Sequence, residues 1–183
     1  MGSLEVIFYV IGIMITLTGL ARGYRRELGS TLIILVAIFV LTFFQTQITE
    51  LFAVVSRELF SVIGSRPELQ NLAVASTFQL LFGVIVFASY AGRTIEFPGT
   101  PARPPLGPIL DLAVGALNGY LVAGTLWYFM HTFNYPLQNL GLIQLPLTPR
   151  GQQLIQYLPQ NLLDVPAYWM LPVAILMILW VRG

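Results

Sequence analysis

Leu4 to Leu20 reads LEVIFYVIGIMITLTGL and runs straight into Ala21-Arg22-Gly23-Tyr24-Arg25-Arg26-Glu27, after which a second apolar run spans Leu28 to Phe44. Crossing about 30 Å of hydrocarbon at about 1.5 Å per helical residue takes about 20 apolar residues. Two such runs joined by a short charged turn read as a transmembrane hairpin. Three further apolar stretches follow, at about residues 72–91, 109–130 and 167–181. Composition agrees with a membrane-embedded chain. Hydrophobic residues make up 56% and charged residues 9% of the 183, against about 25% charged in soluble domains. The reading is an all-α, polytopic membrane helical bundle of four to five transmembrane helices plus an amphipathic interfacial helix, forming a single domain.

The first run is not expected to be a cleaved signal. A signal carries its positive charge before the apolar stretch, whereas here Glu5 precedes it and Arg22, Arg25 and Arg26 follow. The positive-inside rule keeps that arginine cluster cytoplasmic. Residues 21–27 and 93–108, with Arg93 and Arg103, are then expected inside. Residues 46–70 and 132–165 are expected outside, with the N-terminus out and the C-terminus in. The fifth stretch is short and carries Pro172, so it is expected to kink or tilt, a re-entrant or interfacial helix being the alternative.

The connecting segments carry signals of their own. From Gln47 to Gly64, apolar Ile48, Leu51, Phe52, Val55, Leu59 and Val62 recur at helical spacing. This predicts an amphipathic helix in the headgroup region or one capping the bundle. Thr148 and Pro149 are placed as N-cap and first residue of a short helix reaching about Leu158. Phe97 to Pro108 (FPGTPARPPLGP) predicts an extended, non-helical connector.

Candidate functional residues sit in the polar interruptions. Arg22, Arg25 and Arg26 can fix topology and bind anionic lipid phosphates. Glu27 can pair with an arginine and tighten the hairpin. Asp111, at the start of the fourth span, reads as a helix-terminal carboxylate or as an ion-pair partner or proton site facing the arginine cluster. Gly115 and Gly119 mark a helix-packing stripe. Asn118 and Gln79 are the polar residues nearest mid-membrane, and a hydrogen bond between them, or to a Thr or Tyr, would join the third and fourth spans. His131, the one histidine, is a possible pigment or haem ligand, among interfacial aromatics that include Trp127 and Tyr135. Cysteine is absent, which excludes disulfides and thiolate metal sites. No metal site, nucleotide loop or catalytic set is legible, so the chain reads as a non-enzyme with no predicted cofactor. A net charge of +1 gives no footprint for nucleic acid.

Two blocks, Arg22-Gly23-Tyr24 with Arg26-Glu27 and Leu110-Asp111 with Gly115 and Gly119, resemble the colicin V production family of bacterial inner-membrane proteins over about residues 4–130. The resemblance implies a non-enzymatic part in bacteriocin export or envelope maintenance, with lipids, further copies or other membrane subunits as partners. Leu112 and Val122 stand where that family usually carries arginines, and Glu5 where it tends to carry an aspartate. The alternative is an accessory subunit of a respiratory or photosynthetic complex, in which chlorophyll or a quinone would be present.

Overall fold

The computed structural model describes residues 4–59, 67–91, 95–141, 143 and 145–182. The protein is an all-α multi-pass membrane bundle, and no strand occurs among the described residues. Four helices are long and apolar enough to cross a membrane: α1 (Leu4–Arg22), α2 (Tyr24–Phe43), α4 (Pro67–Ala91) and α5 (Leu106–Thr132). Between them, α3 (Gln45–Leu59) follows α2 after a single break at Phe44. Two short helices, α6 (Pro149–Ile155) and α7 (Pro159–Leu162), precede α8 (Met170–Arg182). One end of the bundle carries Arg22, Arg25, Arg26, Arg103 and Arg182 (the basic end), and the other carries Trp127, His131 and Tyr135 (the aromatic end).

The core lies where α2, α4 and α5 meet. Ile34 and Ile38 from α2, Phe78 and Phe82 from α4, and Phe129 from α5 are fully buried, and Phe78 and Phe129 pack with ring centroids 5.0 Å apart. Val122 belongs to this core, whereas Leu112 is exposed.

Helix α1 packs against α5 along a seam of small residues. A Cβ added to Gly115 would lie 2.9 Å from the Thr16 carbonyl oxygen and 3.2 Å from the Gly19 Cα. One added to Gly119 would overlap the Gly12 carbonyl. Backbone thus meets backbone, the geometry that small residues permit in apolar helices. Gly12, Thr16 and Gly19 recur at helical spacing, so the α1 half of the seam was readable in the sequence.

The C-terminal part departs from expectation. Residues 132–165 do not all remain beyond the end of α5. The Pro159 ring packs on Gly124, Gln160 Nε2 donates to Thr125 Oγ1 at 2.7 Å, and Tyr120 donates to the Tyr157 carbonyl. These contacts fall just past the midpoint of the 27-residue α5. From there α8 rises only about 20 Å to the basic end, where Trp180 Nε1 donates to the Glu96 carbonyl at 3.3 Å. The expected fifth span is therefore half a helix, completed by the irregular stretch 157–169. Pro159 and Pro166 each begin a new helical turn, because proline supplies no N–H to the preceding turn. Irregular backbone at this depth is tolerated where protein surrounds it, and Trp169 is buried against the core. Pro172 sits in the first turn of α8, where its missing N–H has no intrahelical partner to lose.

Two other segments also differ in detail. Helix α3 packs Ile48 and Phe52 on the bundle while Leu51 and Val54 stay exposed; positions 60–64 of that expected helix, and Arg93, lie outside the described residues. The proline-rich connector is not a free linker, and its last residues, from Leu106, already belong to α5. Arg25 Nε donates to the Phe97 carbonyl at 2.7 Å, Phe97 N–H returns a bond to the Arg25 carbonyl, and a Cβ on Gly29 would overlap the Ile95 carbonyl. The α6 start is as expected, with Thr148 Oγ1 accepting from Gly151 N–H at 3.1 Å; the same hydroxyl donates to the buried Glu5 carboxylate.

Gly119→Leu is expected to lower stability by about 1–3 kcal/mol through overpacking of the α1–α5 seam. Leu117→Val, on the exposed face of the same helix, should change it by less than about 0.5 kcal/mol. Thermal melting in detergent reads both, and equal melting would place the seam elsewhere.

Candidate functional site

The most buried charge among the described residues lies near the basic end. Glu27, in the first turn of α2, is 0% exposed. Arg22, the last residue of α1, reaches it across the Gly23 turn, with Nη1 2.7 Å from Oε1. Gly23 has φ of +83°, a backbone conformation that favours glycine. That turn sets two consecutive helices at an angle where the end of one meets the start of the next.

The other carboxylate oxygen gathers the remaining helices. Tyr90, at the end of α4, donates its hydroxyl to Glu27 Oε2 at 2.9 Å. Asn118 on α5 donates Nδ2 to the same oxygen at 2.8 Å and to the Glu27 carbonyl at 3.1 Å. The Asn118 Oδ1 lies 2.7 Å from the Thr31 hydroxyl. Arg22 stacks over the Tyr90 ring at 4.5 Å, and its Nη1 also donates to Ser30 Oγ, which donates to the Ser89 carbonyl. One carboxylate therefore ties α1, α2, α4 and α5. Every atom of it is spent on the protein's own donors, which is what a buried charge requires.

Asp111 works beside this node. Its Oδ1 accepts the Tyr24 backbone N–H at 2.6 Å, capping the start of α2 from α5. Its partner is thus a helix terminus rather than a guanidinium, and the arginines expected to face it go elsewhere. Arg22 turns to Glu27, and Arg25 and Arg26 lie 3.5 and 3.8 Å from Glu96. Between the arginine turn and the connector opens a polar cleft of about 380 Å3, bordered by Arg22, Arg25, Arg26, Glu96 and Asp111. Both signs of charge line it.

The Asn118–Gln79 bond does not form; the threonine alternative does, but to Thr31 on α2 rather than to α4. Asn118 is taken by Glu27 and Thr31, while Gln79 lines an apolar cavity at the aromatic end with Phe8 and Trp127. His131 Nδ1 is 2.9 Å from the Tyr135 hydroxyl, which also accepts from Trp127 Nε1 at 3.5 Å. Burial pushes the Tyr135 phenol above its ordinary range. No cluster of three or more metal-ligating side chains occurs among the described residues. Tyr90, Thr31, Ser30 and Ser89 were not singled out in the sequence, since hydroxyl residues in apolar helices give no signal until a charge is placed beside them.

Compared with known proteins, the chain matches no family model, no curated protein and no solved structure.

Removing Glu27 would leave Arg22 without its buried counter-charge. Glu27→Ala is expected to cost about 3–5 kcal/mol and to abolish detergent-stable folding. Asp111→Ala, which removes only a cap, should cost about 1 kcal/mol. The gap between the two, read from melting temperatures, tests whether the node or the cap holds this end of the bundle.

Proposed function

We propose that this chain is a non-enzymatic integral protein of a bacterial inner membrane, of the colicin V production type, acting as a structural platform in bacteriocin export or envelope maintenance. The carrying observation is how the two sequence blocks that bear the resemblance come together. Glu27 and Asn118 are 91 positions apart and bond directly. Asp111 caps the helix that Tyr24 begins, and Gly19 lies against Gly115. Residues that looked like two separate motifs are two sides of one joint. A joint whose ionisable groups are consumed by one another favours a scaffold over an enzyme.

In this reading the basic end faces the cytoplasm, with the N-terminus outside and the C-terminus inside. Arg26, the most exposed of the turn's arginines, and the exposed Arg103 are then at the level of lipid phosphates. The chain lacks cysteine, so single cysteines report topology cleanly. Cysteines replacing Pro101 in the connector and Glu68 at the far end of α4 should label from opposite faces of sealed vesicles, Pro101 from the cytoplasmic one. The reverse pattern would overturn the orientation.

Function itself is tested by complementation. Expression in a bacterium deleted for its own colicin V production family protein should restore envelope tolerance to detergent, and the Glu27→Ala variant should not. Purification in mild detergent should yield the chain alone or with further copies of itself. Stoichiometric foreign subunits carrying pigment would favour the accessory-subunit reading instead.

A further inference from the structure

We infer that the crevice between α1 and α4 binds a neutral, bilayer-dissolved molecule bearing a hydrogen-bonding carbonyl, of the quinone class, held by Gln79. Helix α1 packs on α5, and α4 packs on α2 and α5, which leaves a lateral gap between α1 and α4. The gap holds two cavities in line. One, of about 390 Å3, lies beside the edge-packed Phe8–Trp127 pair and is also lined by Leu137 and Ile143. The other, of about 300 Å3, continues along the same two helices from Ile15 to Tyr90. Gly83 opens its wall, since a Cβ there would meet nothing within 4 Å.

Gln79 decides the chemistry. It is the middle residue of the 25-residue α4 and lines the first cavity at its inner limit. Its amide has no hydrogen-bond partner among the described residues, and a primary amide left unpaired in hydrocarbon is costly. A lipid acyl chain would fill the space but leave the amide unpaired. A phospholipid headgroup would bring charge to the middle of the bilayer, which is costlier still. A quinone carbonyl accepts from the Gln79 Nε2 amide donor, its ring rests against Phe8 and Trp127, and its apolar chain follows the α1–α4 gap. Such a site matches the usual design of a ligand pocket, apolar walls with one placed polar group. It does not depend on the envelope role, because binding is read on the purified chain.

The test is tryptophan fluorescence of the detergent-purified protein titrated with decylubiquinone, which quenches nearby indole, with Trp127 in the cavity wall. Saturable quenching is expected, with Gln79→Leu weakening the apparent affinity about tenfold through loss of one hydrogen bond. Ile7→Phe, which adds bulk at the mouth of the cavity from the exposed side of α1, should remove saturation. Its fold is checked by circular dichroism, so that the proposal stays testable if the Gln79 variant does not fold. Palmitate in excess should not displace the quinone. Unsaturable quenching identical in all three proteins, or full displacement by palmitate with Gln79→Leu unaffected, would overturn the assignment.

Discussion

The bundle is organised around one buried carboxylate. Moving an ionised group from water into a low-dielectric interior costs several kcal/mol even after relaxation, and the cost is recovered only with complete pairing. Glu27 meets that condition by drawing Arg22, Tyr90 and Asn118 to within 2.9 Å. Because Glu27 and these three partners sit on four different helices, satisfying the charge also fixes how the helices stand along one another. Apolar contacts alone would not do this as sharply, since lipid tails are as apolar as leucine and give helices little reason to prefer one register.

The α1–α5 seam and the Asp111 cap act on the same joint. Gly12, Gly19, Gly115 and Gly119 let the two backbones touch, bringing the end of α1 to the level where Arg22 meets Glu27. Asp111 then closes the start of α2 from the side of α5. Across the molecule, the broken passage shows a second solution to the same constraint. Its prolines interrupt the helix halfway along α5, and the Gln160 side chain turns to Thr125. Gln160 Oε1 and Trp169 Nε1 are buried there without a partner among the described residues, so this stretch is less completely paired than the Glu27 node.

Helix α1 is the least enclosed of the four long helices, with only 17% of its apolar window buried. It leans on α5 through glycines and turns Val6, Val10, Ile13 and Leu17 outward. That placement opens the crevice toward α4, where an amide faces an apolar space. The same close seam that serves the Glu27 joint therefore leaves room on the other side of α1.

Length and hydropathy by themselves determined the four long helices, their approximate limits and the basic hairpin turn, because the bilayer imposes its thickness directly on the sequence. Gly115 and Gly119 were likewise legible as a packing stripe, since only small side chains allow that approach. What the sequence left undecided was which polar residues meet. Asn118 looked equally ready for Gln79, and Asp111 for an arginine, because donors and acceptors in separate helices carry no record of their partners. Tertiary packing chose Glu27 for Asn118 and the Tyr24 N–H for Asp111. It also turned the fifth apolar stretch into a half-helix, because Pro159 and Gln160 find Gly124 and Thr125 only after α5 is in place. Hydrogen bonds are short-ranged and directional, so their pairing is settled by the positions of whole helices and not by the composition of any one of them.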